Sequence, residues 1–419
     1  MSRRSFTRRQ VVGFAGAAGS IVTAGCLRLT GDQTATPSGG GAGTTRDDEP
    51  VTSSQDGETT STEQQTTTAP EDITLTEAWT SEELWGVFGH DDLIAGEGPS
   101  REGGYIVFAE PDGSVAYESE SIGGDYMLQL KQGDALASNG ATVFGGGRDV
   151  SGDVETARVA AFDGDTGARQ WTHETEASGT ESRIPSLVAD DDTVYYATVG
   201  EGSARDQRAV VRAVDAGSGT VEWEHVVGED FLRGVAKHGS RLFVGRSQQL
   251  LLLDAATGNV ESRVDLGTSA FRGMVRSDDR LFVTDSRIRA YDLETGEELW
   301  AVERDREPDS PISVVGNALY AGTDAGYVTA HDLDDGAKLW ETRTAQSIVT
   351  KPAVNDRTVF VGDSAGNVSG IDRASGEVVY EGQHFTERPE RTTLAAVGSV
   401  ACISGLGTDS QVTRGFEIG

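Results

Sequence analysis

The sequence predicts an all-β fold, an eight-bladed β-propeller of four-stranded antiparallel blades, and three observations carry that expectation. A D-x-x-[TSD]-G signature recurs at Asp163, Asp215, Asp254, Asp292, Asp332 and Asp372, with spacings of 52, 39, 38, 40 and 40 residues. Eight residues after the Asp comes a large ring in five of the six copies, as Trp171, Trp223, Trp300, Trp340 and Tyr380, with Ser262 the exception. Short alternating apolar runs precede each Asp, as in Ala318–Gly322 and Tyr327–His331, without a helical period. Four short strands repeated every 40 or so residues are the signature of a propeller.

Each part of the repeat has a local reason. The Asp caps the backbone of a tight turn, and the Gly supplies the positive φ that the turn needs. The ring on the fourth strand is expected to pack between neighbouring sheets. A degenerate copy precedes the six, with Glu110, Gly113 and Tyr117 in the corresponding places. The last copy runs from Thr393 to Glu417 and stops without a fourth strand. Ile73–Trp79 supplies a strand with an orphan ring at the other end of the chain. Pairing the two closes the ring and removes both free edges. Counting from Leu84 then gives seven complete blades and one composite.

Composition excludes several classes. The chain has 419 residues, with 68 Asp and Glu against 35 Lys and Arg, a net charge of −33. Such a surface repels phosphate backbones, so no nucleic-acid partner is expected. The two Cys, Cys26 and Cys402, make neither a disulfide scaffold nor a Cys-rich zinc site. Only four residues are Lys (Lys131, Lys237, Lys338 and Lys351). That scarcity beside an acid excess resembles the proteins of extreme halophiles, whose carboxylates keep surfaces hydrated. Molar salt, with a Debye length of about 3 Å, screens the self-repulsion.

The N-terminus reads as an address followed by a spacer. Residues 1–25 combine a basic start with a weakly apolar run from Val11 to Gly25, too short to span a bilayer. Arg3-Arg4 and Arg8-Arg9 resemble twin-arginine (Tat) export motifs, and Thr23-Ala24-Gly25-Cys26 resembles a lipobox with Cys26 as the lipidated residue. Removing residues 1–25 takes away four Arg and no acid, which leaves −37. Residues 27–72 are rich in Thr, Ser, Gly and acids without apolar periodicity, the composition of a disordered tether. As a random coil it spans roughly 35–40 Å. The expected domains are therefore a signal peptide (1–25), a lipidated Cys with its tether (26–72) and a propeller (73–419).

The pattern A-x-D-x-x-T-G-x-x-x-W, as in Ala290–Trp300, resembles the PQQ-type propeller repeat, and the resemblance covers residues 73–418. Similar eight-bladed domains occur in quinoprotein alcohol dehydrogenases and in the lipoprotein propeller of the bacterial outer-membrane assembly machinery. The enzymes hold PQQ between a Trp and a vicinal Cys pair, with Ca²⁺ on Asn and acidic ligands and an Asp base. This chain has no adjacent Cys pair, and its Trp residues read as blade packing. No catalytic, cofactor-binding or metal-binding residue is carried over. Asp163-Gly164-Asp165 and Asp332-Leu333-Asp334-Asp335 resemble pieces of calcium loops but lack the downstream Glu. Asp190-Asp191-Asp192 reads as a solvated turn, Cys402 as a small core residue, and Asn367-Val368-Ser369 as a sequon placed in a strand.

The expected function is a non-enzymatic binding or assembly scaffold, anchored by lipid on the outer face of the cytoplasmic membrane and monomeric. Its rival is an oxidoreductase of alcohols or sugars using PQQ and Ca²⁺. Four connections between second and third strands read as long: Gly96–Glu110, Gly146–Asp163, Ala197–Asp215 and Ile403–Glu417. They fall on consecutive blades and should form one raised crescent. Arg183, Arg233, Arg272, Lys351 and Arg391 fall near the channel mouth on the same face. This basic rim is the candidate binding site for a protein or polyanionic partner.

Overall fold

The computed structural model describes residues 70–419, apart from residue 91 and segments 99–102, 124–125, 129–134, 150–155, 176–182, 204–205, 229–231, 247, 267–272, 285–286, 304–310, 345, 385–391 and 407–410. The expected signal peptide, Cys26 and most of the tether lie outside the described residues. Among those described there is no helix.

Eight antiparallel sheets follow one another in chain order. Seven are sequential: Trp85–Glu118, Tyr126–Glu174, Arg183–Gly228, Leu232–Asp265, Gly273–Glu303, Ser313–Arg343 and Ala353–Gln383, here blades one to seven. Blade eight joins the last three strands, Thr393–Val397, Val400–Leu406 and Gln411–Ile418, to Leu75–Ser81. The closing strand thus starts two residues later than the sequence suggested, although Thr74 still exchanges two 3.0 Å backbone bonds with Gly419 ahead of it. Blade two departs from four strands: its innermost strand is split into Tyr126–Leu128 and Leu136–Ser138, both paired with Thr142–Asp149. Apolar clusters fill every interface between adjacent sheets, such as Phe108, Ile106 and Tyr117 of blade one against Val143 and Phe162 of blade two.

The repeat is an interlock between blades. In each turn the Asp carboxylate accepts bonds from within its own turn, as Asp292 does from the Thr295 amide (2.6 Å) and hydroxyl (2.9 Å). These bonds hold the Asp163, Asp215 and Asp292 carboxyls below their ordinary range. The outermost strand bulges by one residue just before the ring, at the same place in each blade, as between Ala290 and Tyr291 opposite Trp300. The bulge turns the ring toward the following blade. There the indole N–H donates to the carbonyl one residue past that blade's Asp or its equivalent: Trp79 to Pro111, Trp171 to Ala216, Trp223 to Ala255, Trp300 to Leu333 and Trp340 to Arg373, at 2.8–3.0 Å. The ring also lies flat on the turn glycine of that blade. A Cβ on Gly376, at φ +77°, would stand 2.7 Å from Trp340 Cγ. Where Ser262 replaces the ring, Leu252 fills the space over Gly296.

Trp79 performs this role for the closing strand, so the orphan ring belongs where the repeat requires it. The bulge also explains two exposed leucines. Leu299 and Leu339 are the extra residues and are 47% and 53% exposed, whereas Val379 at the same place is 5% exposed. There the segment ahead of the closing strand crosses blade seven, and the Ile73 N–H donates to the Val379 carbonyl at 2.9 Å.

Candidate binding face

The two faces of the ring differ. One carries the uniform D-x-x-T-G turns, and the other carries the connections between second and third strands. In blades four and five those strands end within three residues of each other, as at Arg246 and Gln249. In blade three they run for 11 and 10 residues, Thr193–Ser203 and Asp206–Asp215. The length read from sequence as loop between Ala197 and Asp215 is therefore an extended hairpin, paired out to Ser203 and Asp206. The difference has a local cause: a bulge between Thr198 and Glu201 restores alternation beyond the apolar run. Blade eight is likewise paired out to Leu406 and Gln411, and blade two to Arg148 and Ala157.

A buried ion pair braces the base of the blade-three hairpin. Arg212 on the third strand donates through both terminal nitrogens to the Glu201 carboxylate, with Nη2 at 2.7 Å, and Nη1 also reaches Thr198 Oγ1 at 3.1 Å. The two side chains are only 9% and 4% exposed. Burial opposes the Arg212 charge, and the bonds to Glu201 outweigh it, holding the guanidinium above its ordinary value. His173 of blade two packs 6.1 Å from the Tyr196 ring beside this pair. Burial first, then Arg212, hold His173 below its ordinary value. Neither Arg212 nor Glu201 was singled out from sequence. The legible signal was Arg212, which interrupts the apolar run from Ala209 to Val214.

The rim cations are partly placed. Arg183 opens the innermost strand of blade three, half-buried and paired with Val199. Arg233 is exposed on the innermost strand of blade four and is already engaged in an interaction. Lys351 precedes the innermost strand of blade seven, is also engaged, and lines the channel. Arg272 and Arg391 lie outside the described residues. In the channel, Phe88 of blade one, Val275 of blade five, Val314 of blade six and Leu394 of blade eight line the same space. They leave a cavity of about 30 Å³, enough for one or two waters.

The remaining candidates have structural partners. Asp190 accepts from the Thr193 amide at 2.8 Å and pairs with Lys237 at 2.7 Å. Asn367 of the sequon opens a strand, and its side-chain amide is spent on Asp363 at 2.9 Å. Cys402 is buried beside Leu84 and Val87, and burial pushes its thiol up to about 12. Among the described residues, no three His, Cys, Asp or Glu side chains form a set that could hold a metal ion.

This geometry defines a class: a closed eight-bladed ring with a uniform turn face and an irregular, hairpin-bearing face. A sequence model of the family described as "Outer membrane protein assembly factor BamB" matches residues 207–346 and 284–402, within that ring. Similar solved structures include BamB from Moraxella catarrhalis, at 17% identity and a TM-score of 0.57, covering 82% of this chain and 100% of that one. The computationally designed Ika8 protein is similar at 15% identity and a TM-score of 0.57, covering 83% and 100%. A europium-containing methanol dehydrogenase is similar at 10% identity and a TM-score of 0.59, covering 82% and 93%. No curated protein matches the chain. An assembly factor, a designed ring and a dehydrogenase share this fold, so the fold alone does not choose among functions.

The ring has no pair of adjacent Cys. Apolar side chains from opposite blades meet in the described channel. The one Cys in the ring is sealed in an apolar cluster.

Proposed function

We propose that the protein is a non-enzymatic scaffold that binds a protein or polyanionic partner on the hairpin-bearing face of the propeller. The observation that supports this most is the asymmetry of the two faces. Irregular length is concentrated on one side, and in blade three it is held at a fixed angle by a buried ion pair. Burying two charges is costly, and an apolar pair would serve stability as well. A fixed hairpin on a rigid ring is what a recognition surface requires. The likeness in fold to an assembly factor agrees with this reading.

The same proposal places the ring, as a monomer, outside the cytoplasmic membrane on a tether from a lipidated Cys26. The acid excess and the scarcity of Lys suit a surface hydrated in molar salt. Cross-linking in cells followed by trimming of residues 147–155 and 200–207 tests the binding face. Partners captured by the full chain should be lost from the trimmed one, and retention of every partner would defeat the proposal. Converting Cys26→Ser should move the protein from the membrane fraction to the soluble one. Addition of PQQ and Ca²⁺ with a dye-linked alcohol assay tests the oxidoreductase rival, for which turnover would be decisive.

A further inference from the structure

The bulge on each outermost strand leaves one residue outside the ladder, and the residue type there is not uniform. It is Gln170, Glu222 and Glu261 in blades two to four, all exposed. In blades five, six and seven it is Leu299, Leu339 and Val379, and in blades eight and one it is Ala78 and Ala116. The three large aliphatic residues are thus neighbours around the outer rim. Val379 is covered. The segment ahead of the closing strand crosses it, the Ile73 N–H donates to its carbonyl at 2.9 Å, and the Ile73 side chain packs against the cluster between blades seven and eight. Leu299 and Leu339 have no such cover, at 47% and 53% exposure against 5% for Val379.

An aliphatic side chain on an open sheet edge invites pairing, and charged or polar residues guard most such edges, as they do in blades two to four. The chain itself shows what settles on this bulge: an extended backbone that reaches the bulge carbonyl and brings a β-branched side chain with it. The same segment cannot continue over blades six and five with like residues, because 52–68 contain no Val, Ile, Leu, Met or aromatic residue. A second copy of the ring fits no better, since two half-exposed leucines fall far short of the roughly 1,200–2,000 Å² that a stable protein–protein interface buries. An extended strand draws its affinity from main-chain hydrogen bonds and needs only alternate side chains to be received.

We propose that the outer rim at Leu339 and Leu299 is a docking strip for an extended segment of a partner polypeptide that bears β-branched aliphatic side chains. It continues around the rim the contact that Ile73 already makes with Val379. The strip lies on the outermost strands of blades five and six, away from the hairpin-bearing face, so it is a second partner surface and does not rest on the scaffold reading of the first.

A fluorescein-labelled peptide carrying two copies of residues 70–74 joined by glycines is the probe, read by anisotropy against the whole protein at molar salt, where the acid excess does not repel it. Binding should be saturable. It should weaken by about tenfold or more in Leu299→Glu with Leu339→Glu, and by a similar factor when Ser replaces Ile in the peptide. The fold should accept the two substitutions, because blades three and four already carry Glu at this place. Should the pair nevertheless melt early, Leu299→Gln with Leu339→Gln, after Gln170 of blade two, gives the same decision. Absence of binding to the native protein, or equal binding by the substituted one, would overturn the strip. So would sedimentation of a native dimer that the substitutions dissolve, which gives the rim to a second copy. Thiol labelling of Leu339→Cys that quickens on deletion of 27–69 would give it to the chain's own N-terminal segment and overturn the strip as well. Trimming 147–155 and 200–207 should leave peptide binding unchanged, so the two surfaces stand or fail separately.

Discussion

Adding one methyl group at Gly376 should cost far more than adding one at Gly398, although both glycines have positive φ. Gly376 lies at +77° and Gly398 at +55°. An L-residue in the left-handed region costs about 1–2 kcal/mol, and this part of the penalty is common to the two sites. At Gly398 nothing lies within 4 Å of the added Cβ, so the penalty ends there. At Gly376 the Cβ meets Trp340 Cγ, Cδ2 and Cβ at 2.7, 2.8 and 2.9 Å. Trp340 cannot retreat, because it is 9% exposed and its indole N–H is tied to the Arg373 carbonyl at 3.0 Å. Overpacking of that kind adds about 1–3 kcal/mol, for a total of about 2–5 kcal/mol for Gly376→Ala. Trp340→Ala should itself cost about 3–5 kcal/mol. The double variant should be less damaged than the sum by the overpacking term, about 1–3 kcal/mol. Denaturant midpoints read by circular dichroism, which survives loss of a tryptophan, give all four values. Equal losses at Gly376 and Gly398, or strict additivity with Trp340→Ala, would refute the interlock.

Three further outcomes follow from the same packing. Deleting residues 73–80 removes the closing strand with Trp79 and should cause unfolding or aggregation, whereas deleting within 32–68 should leave melting unchanged; equal melting would contradict the ring closure. Glu201→Gln removes the buried countercharge of Arg212 and leaves it only the exposed Glu224 carboxylate at 3.3 Å, so it should cost up to about 3–5 kcal/mol, while Arg212→Met combined with Glu201→Leu should recover most of it, as a double-variant denaturation series would show. His173, His225 and His384 are all held below their ordinary values, by burial first and then by Arg212, Arg263 and Arg414 respectively. Each is neutral in the fold while the unfolded chain binds protons below about 6.5. Stability should therefore hold above that pH and decline below it, by up to about 1.4 kcal/mol per unit per histidine. Replacing all three with Gln should flatten the difference between pH 7 and pH 5, and an unchanged slope would exclude them as its source.

The ring was legible because its repeat names its own contacts. Asp292, Gly296 and Trp300 sit at fixed offsets since each does one job in a turn and the next turn depends on it. Trp79 could be assigned to the far end of the chain for the same reason: a ring without a turn behind it implies a turn elsewhere. The hairpin-bearing face was less legible. Apolar alternation ends at Thr198, so the hairpin beyond it looked like loop, and only the pairing of Glu201 with Arg208 shows a strand. Glu97 and Arg212 broke the apolar pattern visibly, but a sequence does not say whether a charge in a strand points outward or is sealed within. Of these two, Arg212 found a partner eleven residues away, whereas Glu97 Oε2 has no hydrogen-bond partner.

That contrast bears on how the ring divides its tasks. The turn face is built from groups that satisfy one another, with Asp on its own turn and Trp on the next, so a change there propagates to a neighbouring blade. The opposite face holds the groups whose satisfaction is either costly or incomplete. The ion pair at the base of blade three gains its stability only while both charges remain, and the Glu97 Oε2 of blade one is buried without a hydrogen-bond partner. Strength is thus invested in the face that repeats, and conditional stability in the face that varies. A surface that must recognise something can afford local opening if the frame beneath it does not share the strain. Here the frame is separate. Leu84, Val87, Ile94 and Cys402 pack blade one against blade eight, on the side of the sheet away from Glu97.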